Sequence, residues 1–522
     1  MKHRYGNLWC STVLIASMLF FGGCASLPDN SSRMLSATIT DGERTKLGKL
    51  NEQRLKQHLG QSGVYLLKDG LDAFVARAGL ARYAERSIDV QYYIFHQDTV
   101  GRLLIKELVA AADRGVRIRL LVDDMYGEEG DDTWLALDSH PSFEVRLFNP
   151  FVRDHSKNIQ FLTRFKTVNH RMHSKTFTVD NQATIVGGRN IGSEYFNADP
   201  NLAFSDIDVL AIGSAVPAVS EEFDEYWNSN YAFPITTLKP DVANLGMEAL
   251  RQELDTLTEQ EATSAYVGAL KNSDFAKALA RGTIHYSFAE ALVIHDSAEK
   301  LTKGDGWKEV LLMTQLAPYI KKAKKEFILV SPYFVPGSKG TKGLCELSEQ
   351  GVEVKILTNS LATNDVSAVH TGYIRHRKEL LRCGIQLYEF NEQIRKQKGE
   401  RFTWLPGLSK SSLHAKTLAI DGEAMFVGSF NLDQRSLNIN NEIGILFYNN
   451  EIASASSNNF NDRIEEVAFR VELVKNKNGS ETLIWTGIED GVEVVFKHEP
   501  YASFWNRFKV NFMRILPIDS ML

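Results

Sequence analysis

The chain has 522 residues, of which 43% are hydrophobic, and it carries a formal net charge of −6 at pH 7. A chain of this length and apolar content has enough material for two hydrophobic cores. The acidic balance weighs against a protein that coats duplex nucleic acid, because such proteins carry an excess of basic residues.

The N-terminus has the pattern of a bacterial lipoprotein signal. Two basic residues precede an apolar run over residues 8–21, which is shorter than the ~20 residues that a membrane-spanning helix needs. Small residues then lead to Cys24. The pattern predicts a signal over residues 1–24 and acylation of Cys24, and several acyl chains together give a stable anchor. An uncleaved signal anchor is the alternative. Ala25 favours the outer membrane, so we expect an envelope protein that faces the periplasm.

Two cysteines remain for the folded protein. Cys10 lies in the predicted signal and Cys24 is the predicted lipid site, which leaves Cys345 and Cys383 on different predicted elements. A disulfide between them and two buried free thiols are both compatible with an oxidising compartment. Their spacing is not that of a metal site.

The rest of the chain divides into two similar halves. Residues 25–60 are polar and predict a tether with a short helix, and residues 232–283 predict a mostly helical connection. The first half, 61–231, contains the strand SIDVQYYIF, the helix LLIKELVAAADRG and the strand VRIRLLVDD; the second, 284–471, repeats this plan with FILVSPYFV and VEVKILTNS. Such β-α-β units predict an α/β fold with a parallel or mixed sheet flanked by helices. Residues 472–522 predict a hairpin and a tail of aromatic and basic residues.

A short motif occurs once in each half. The first copy reads HSKTFTVDNQATIVGGRN and the second HAKTLAIDGEAMFVGSFN. Alternating apolar residues predict a strand, on which side chains two positions apart share a face. His173 therefore projects with Lys175, and His414 projects with Lys416.

Each motif continues through a second strand and a tight turn. The turn brings Asn190, or Asn431 in the second copy, back toward the histidine face. Asp180 and Asp421 stand at turns, so we expect them to be structural. An imidazole, an ammonium and an amide suit a phosphoryl group, and the repetition of all three is hard to explain by packing alone.

The duplicated pattern HxKx4Dx6G[GS]xN resembles the phospholipase D superfamily. The segments RGVRIRLLVDD, HRMHSKTFTVD, SPYFVPG and LPIDSML resemble its bacterial cardiolipin synthase C-like branch, and the likeness extends over about residues 60 to 522. The resemblance implies two pseudo-symmetric domains, each a mixed sheet flanked by helices, with the active site at their interface. Since one chain carries both motifs, we expect it to act as a monomer.

The resemblance also implies roles for the motif residues. One histidine attacks the phosphodiester and forms a phosphohistidine, and the other serves as acid and then base. Family precedent favours His173 as nucleophile and His414 as acid and base, and the reverse assignment stays open. No metal or other cofactor is implied. The residues implied to neutralise or bind phosphate oxygens are Lys175, Lys416, Asn190, Asn431 and Ser429.

In the superfamily, an acidic residue downstream of each motif fixes the histidine tautomer. Glu442 stands at that place in the second half. Aligning DIDVL with EIGIL gives Asp206 in the first half, with Asp208 as the fallback. Because Gly188 replaces Ser429 in the first copy, a hydroxyl contact to phosphate is expected on one side only.

The implied activity is transfer of a phosphatidyl group to a hydroxyl of phosphatidylglycerol, with phosphatidylglycerol or phosphatidylethanolamine as donor. A phospholipase D that releases phosphatidic acid is the first alternative, because it uses the same catalytic residues. A nuclease is the second, and both the two motifs in one chain and the lipoprotein signal argue against it. We therefore expect membrane phospholipids, and no nucleic acid, as partners.

Overall fold

The computed structural model describes residues 26–153, 155–198, 204–240, 246–261, 265–301, 311–364, 366–391, 412–489 and 491–513. The predicted signal, with Cys24, lies outside these residues, as does the end of the tail. The strands are β1 (Ser62–Leu67), β2 (Ser87–Tyr92), β3 (Arg117–Asp123), β4 (Phe143–Phe148), β5 (Thr176–Val179), β6 (Ala183–Gly187), β7 (Phe204–Ser205), β8 (Asp208–Gly213), β9 (Ala232–Pro234), β10 (Ser287–His295), β11 (Glu326–Val330), β12 (Glu353–Asn359), β13 (Gln386–Phe390), β14 (Ser412–Leu413), β15 (Thr417–Ile420), β16 (Ala424–Gly428), β17 (Ile443–Tyr448), β18 (Ala468–Lys475), β19 (Glu481–Glu489) and β20 (Val492–Phe496).

The α-helices lie mostly between the strands. In the first half they are Lys46–Leu55, Gly70–Tyr83, Thr99–Asp113, Asp131–Asp138, Lys157–Thr163, Phe165–Val168, Ala215–Asn228 and Ile235–Leu238. The helices after the first half are Met247–Glu261, Ala265–Asn272, Asp274–Arg281, Leu312–Ile320, Gly337–Glu349, Ser367–Arg382, Gln434–Asn438, Asn450–Arg463 and Phe504–Met513.

Each half forms its own sheet, and the two sheets have the same strand order. In the first, β2, β3 and β4 are parallel, and the antiparallel strands β5, β6, β8 and β1 continue the sheet from β2, while β9 covers the edge at β4. In the second, β11, β12 and β13 are parallel, β15, β16, β17 and β10 follow, and β18 covers the edge at β13. β10 also pairs with β1 and so joins the two sheets. The predicted α/β fold with two pseudo-symmetric mixed sheets is confirmed.

The crossover after β2 shows how the sequence sets local structure. Asp98 caps the helix Thr99–Asp113, since its carboxylate accepts a hydrogen bond of 3.0 Å from the Gly101 amide. Leu104 and Leu108 are spaced to lie on one face of that helix, and both are buried in the core of the first half.

The motif strands begin later than the alternation predicts. β5 starts at Thr176 and β15 at Thr417, so each histidine and lysine lies just before its strand. The segments before the strands pair across the halves instead. Met172 forms an isolated parallel bridge with Asn441, and β14 pairs in parallel with β7. This pairing holds both motifs at the junction between the halves.

Two predicted segment boundaries, and the packing of one predicted segment, differ from the structure. Residues 26–60 are packed rather than a loose tether, because Asn30 Nδ2 donates to the Ala232 carbonyl at 2.9 Å. β9 extends the first sheet to Pro234, past the predicted limit at residue 231. β18 spans the predicted limit at residue 471, and it forms a three-stranded meander with β19 and β20 rather than a separate hairpin.

Two further features join distant parts of the chain. The helices after β9 contribute Leu250, Leu254 and Phe275 to the core of the first half. In the second half, Cys345 and Cys383 form a disulfide between the helix Gly337–Glu349 and the end of the helix Ser367–Arg382, so the structure favours the first of the two states left open.

Candidate active site

Each motif histidine is paired with a carboxylate from the other half. His173 Nδ1 lies 2.8 Å from Glu442 Oε2, and His414 Nδ1 lies 2.5 Å from Asp206 Oδ2. The sequence placed one carboxylate downstream of each motif, and the structure shows that the pairs cross. Neither half can therefore complete its own histidine–carboxylate pair.

Backbone hydrogen bonds fix the same crossing. The His173 amide donates to the Asn441 carbonyl at 2.8 Å, and the His414 amide donates to the Ser205 carbonyl at 2.8 Å. The residue that accepts from each histidine amide directly precedes the carboxylate that binds that histidine's ring. Main chain and side chain together fix each imidazole from two directions.

Both histidine side chains are almost enclosed. His173 is 8% exposed and His414 is 9% exposed. Tyr93 meets the His173 ring edge-on at 5.0 Å, and Tyr195 meets the His414 ring edge-on at 5.3 Å. Because Nδ1 of each neutral ring donates to a carboxylate, Nε2 is the nitrogen left with a lone pair.

Burial sets the protonation of the rings. It lowers the pKa of His173 to about 4, although Glu442 acts in the opposite direction. Burial also lowers the pKa of His414, with the positive charge of Lys416 as the next cause. Both imidazoles are therefore neutral near pH 7 in the ligand-free protein.

The carboxylates stay ionised despite their burial. Burial by itself raises the pKa of Asp206, but Lys416 and His414 bring it below its usual value. Burial likewise raises the pKa of Glu442, and His173 together with Lys175 brings it below its usual value. Each half-site thus joins a neutral imidazole to a carboxylate anion.

The two lysines lie beside their histidines. Lys175 Nζ donates to the His173 carbonyl at 2.6 Å, and burial lowers the pKa of Lys175 to about 7. Lys416 Nζ donates to the His414 carbonyl and lies 2.9 Å from His414 Nδ1. His414 Nδ1 donates its proton to Asp206, so it does not accept a hydrogen bond from Lys416. We therefore interpret the contact between Lys416 Nζ and His414 Nδ1 as electrostatic. The positive charge of each lysine lowers the pKa of both histidines.

The motif asparagines differ in how they are held. Asn190 Oδ1 accepts from the Ile94 amide at 3.2 Å, and its Nδ2 donates to the Tyr195 hydroxyl at 3.0 Å. Asn431 is also buried, and its Oδ1 has no hydrogen-bond partner among the residues that the structure describes. This oxygen is an acceptor, so it suits a donor group of a ligand, such as a hydroxyl.

Ser429 does not have the free hydroxyl that the sequence predicts. Its Oγ donates to Glu442 Oε2 at 2.5 Å and accepts from the Ile443 amide at 3.1 Å, and the side chain is fully buried. Ser436 Oγ donates to Glu442 Oε1 at 2.7 Å, and Asp296 accepts from the Glu442 amide at 3.0 Å. The Ser429 hydroxyl thus orients Glu442, and its contact with phosphate stays a prediction.

Asp206 is held differently from Glu442. Its Oδ1 accepts from the neighbouring Ile207 amide at 2.8 Å. A Cβ at Gly188 would lie 2.2 Å from Asp206 Oδ1, so a serine like Ser429 has no room there. The fallback carboxylate, Asp208, forms an ion pair with Arg77 at 2.9 Å and does not contact a motif histidine in the described structure.

Asp180 and Asp421 lie at turns, as predicted. Both have positive φ, 53° and 56°, and each carboxylate accepts hydrogen bonds from three successive backbone amides of the segment leading into the parallel sheet. Such contacts fix the register of the neighbouring loop and leave no chemistry to propose for these side chains. The donors lie within 2.7–3.0 Å and belong to Glu85, Arg86 and Ser87 for Asp180, and to Lys324, Lys325 and Glu326 for Asp421.

Sequence reasoning missed several residues around the histidines. Tyr195 and Phe204 contact the His414 ring, with centroid distances of 5.3 Å and 5.4 Å. Ser436 and Asp296 hold Glu442 from outside the repeated motif. Tyr195 and Ser436 had a local signal, since each closely follows the asparagine of its motif, whereas Phe204 and Asp296 lie further from the motifs along the chain.

Two half-sites, each an imidazole with a carboxylate and a lysine, joined between duplicated mixed sheets, define the phospholipase D class. The family described as "Cardiolipin synthase, PLD-like domain" matches residues 80–227 and 316–464. Cardiolipin synthase C of Escherichia coli (strain K12) is 40% identical over 467 residues, which cover 89% of this chain and 97% of that protein. The chain belongs to this cardiolipin synthase family.

Two more distant proteins are also similar to the chain. Cardiolipin synthase of Oceanobacillus iheyensis is 23% identical over 406 residues, covering 78% of this chain and 69% of that protein. A crystal structure of phosphatidylserine synthase from Haemophilus influenzae Rd KW20 superposes with a TM-score of 0.55 at 12% identity, over 90% of this chain and 100% of that one. The superposition supports the fold.

In the part of the chain that the structure describes, no helix combines the length and the apolar character required to span a bilayer.

Proposed function

We propose that the protein joins two phospholipids by transferring a phosphatidyl group to a hydroxyl of phosphatidylglycerol through a covalent phosphohistidine. The observation that supports this most is the pair of crossed histidine–carboxylate contacts, His173 with Glu442 and His414 with Asp206. Because each Nδ1 is bound to a carboxylate, Nε2 of each ring is available for reaction. The two motifs are held together across the junction, and the reaction needs one nucleophile and one acid.

In the first step, His173 Nε2 attacks the phosphorus of the donor lipid. The P–O bond to the headgroup alcohol breaks as the P–N bond forms, and His414 gives the leaving oxygen a proton from Nε2. A neutral His173 is ready for this role at pH 7, given its lowered pKa of about 4. The negative charge of the bound phosphodiester favours protonation of His414, and Asp206 stabilises the resulting imidazolium.

In the second step, the acceptor hydroxyl replaces the headgroup. His414 Nε2 removes its proton, the oxygen attacks phosphorus, and the P–N bond breaks to restore His173. With phosphatidylglycerol as acceptor, the product is cardiolipin. With water as acceptor the product is phosphatidic acid, so exclusion of water from the enclosed site decides between transfer and hydrolysis.

The remaining polar groups bind the phosphate oxygens. Lys175 and Lys416 supply positive charge, which matters most as negative charge grows on those oxygens in the transition state. Asn431 supplies an amide on the second side. Asn190 is already tied to Tyr195, so we assign it a smaller share of this binding.

Labelled lipids test the proposal. The purified protein is incubated with labelled phosphatidylglycerol, with and without phosphatidylethanolamine. Labelled cardiolipin is the expected product, and its increase on adding phosphatidylethanolamine identifies the second lipid as a donor. Phosphatidic acid alone would instead identify a hydrolytic phospholipase D.

Cellular location is part of the proposal. Acylation at Cys24 would hold the enzyme at an envelope membrane facing the periplasm, with the outer membrane favoured by Ala25. Because both half-sites belong to one chain, a monomer has all the catalytic groups it needs. Metabolic labelling with a fatty acid, lost in Cys24→Ala, tests the anchor, and fractionation of the envelope tests the membrane.

A further inference from the structure

The C-terminal helix Phe504–Met513 exposes an unusual amount of aromatic surface. Phe504, Trp505, Phe508 and Phe512 are all exposed, with Trp505 73% exposed, and together they form what we call the aromatic helix face. The rings of Trp505 and Phe508 contact each other edge-on, at 6.1 Å. Exposed apolar patches of this kind on a folded protein mark sites of interaction.

The opposite side of the helix is packed against the second half. Val510 is 2% exposed and lies in a small cluster with Leu361 and Ala502. One side of the helix is therefore packed against the protein, and the aromatic helix face is on the exposed side.

The aromatic helix face lies close to the active site along a short chain of contacts. Leu361 follows β12, whose last residue, Asn359, donates to the Leu413 carbonyl at 3.0 Å. Leu413 directly precedes His414. The helix thus sits at the end of the second sheet where the catalytic motif begins.

The first half exposes a second patch at the corresponding end of its own sheet. Ile159, Leu162 and Phe165 are exposed on two short helices, and we call them the first-domain apolar patch. The second helix ends at Val168, whose carbonyl accepts from Arg171 Nε at 2.8 Å. Arg171 lies two residues before His173 in the sequence. Each catalytic histidine thus has an exposed apolar surface near it.

The geometry points to the headgroup region of an anionic phospholipid bilayer as the surface on which both patches dock. Charge supports this occupant, because exposed Lys166 lies next to Phe165 and exposed Lys509 lies next to Phe508. An interfacial helix characteristically carries Trp and Phe on its apolar face with basic residues alongside. Docking there would bring the site to the surface that supplies lipid. The inference rests on the proposed function only for the identity of the substrate.

The first test locates Trp505 relative to the bilayer. The processed full chain is reconstituted into vesicles of phosphatidylglycerol and phosphatidylcholine whose acyl chains carry bromine, which quenches nearby tryptophan fluorescence. We expect clear quenching in the native protein and its loss, in large part, in Trp505→Phe. Equal quenching in the two proteins would overturn the inference. This readout needs no turnover, so it stands even if the proposed function fails.

The second test compares substrates. Phe504→Ser/Phe508→Ser/Phe512→Ser should lower turnover of vesicle phosphatidylglycerol about tenfold or more, and leave turnover of a short-chain, monomeric phosphatidylglycerol unchanged. The matched control is Leu59→Ser/Tyr83→Ser, since both residues are exposed, Leu59 by 87%, and both lie at the opposite end of the first sheet. The control should change neither rate.

Three outcomes would count against docking. Unchanged vesicle turnover in the aromatic variant would overturn the role of the face. An equal loss on vesicles and on monomeric lipid would assign the effect to a disturbed active site instead. Absence of quenching together with a doubled molecular mass in solution, lost in the aromatic variant, would assign the face to a second copy of the chain.

Discussion

The half-site around Glu442 and the half-site around Asp206 share one plan but differ in how the carboxylate is held. Glu442 accepts from two hydroxyls besides His173, those of Ser429 and Ser436. Among the residues that the structure describes, Asp206 accepts from one backbone amide besides His414. A carboxylate with more donors spreads its charge and attracts the ring proton less, so we propose that His173 stays neutral and acts as nucleophile while His414 carries the proton.

Replacing either histidine should have the largest effect on transfer activity. His173→Ala and His414→Ala should each reduce transfer by about 10³-fold or more, because neither role has a substitute. A donor whose leaving group is a phenolate needs no protonation. With it, His414→Ala should still release one equivalent of phenolate rapidly, whereas His173→Ala should not. A burst in His173→Ala alone would reverse the assignment.

Neutralising each carboxylate should come next in effect. Glu442→Gln and Asp206→Asn keep the shape of the side chain but remove the charge that orients the imidazole, so we expect losses of about 10- to 100-fold. The donor with the phenolate leaving group separates them: Asp206→Asn should recover much of its rate, and Glu442→Gln should not. Equal recovery in both variants would contradict the division of roles.

The turn residues Gly188 and Ser429 test why the half-sites differ. In Gly188→Ala the new Cβ would meet Asp206 Oδ1 at 2.2 Å and displace the carboxylate, so the rate should fall toward that of Asp206→Asn. In Ser429→Ala one of several hydrogen bonds to Glu442 is lost, so we expect about a tenfold reduction or less. A larger effect in Ser429→Ala, measured as kcat/KM on the same lipid, would mean that the hydroxyl meets substrate after all.

The pH dependence of kcat/KM should have a rising limb and a falling limb. The rate should rise as the pH increases through about 4, where His173 loses its proton. It should fall at higher pH, where His414, whose pKa burial lowers, loses the proton it must donate, and where Lys175 loses its charge near pH 7. Lys175→Arg should move the upper limb to higher pH, because a guanidinium stays protonated. Lys355→Arg, at a distant buried lysine, should leave the profile unchanged. An upper limb unaffected by Lys175→Arg would exclude this lysine as its cause.

The smallest effect on catalysis should come from the disulfide, a further difference between the two halves. Cys345→Ser/Cys383→Ser removes a cross-link over a sequence separation of 38, which should lower the free energy of unfolding by about 2–4 kcal/mol. Transfer at 25 °C should be unchanged. Denaturant unfolding measures the stability, and a substantial loss of kcat in the folded variant would show that the bond also shapes the site.

Much of the site could be predicted from local signals. The repeated histidine and lysine, the asparagine after the tight turn and the turn aspartates all belong to one continuous motif. The strand that the alternation predicts starts later than expected, after the histidine and lysine. Glu442 was predicted from the resemblance to the phospholipase D superfamily, and Asp206 by aligning DIDVL with EIGIL. The contact of Ser429 with Glu442 was not predicted, because sequence shows a hydroxyl and not the atom it will meet.

The amino-acid sequence determined that two equivalent half-sites exist, since composition, periodicity and a duplicated motif are local properties of the chain. Only the tertiary structure decided that each imidazole takes its carboxylate from the opposite half, that residues 26–60 pack on the first sheet, and that four aromatic side chains of the helix Phe504–Met513 are exposed. Those choices depend on contacts between segments hundreds of residues apart, and the distance along the chain carries no information about which of many possible pairings packs best.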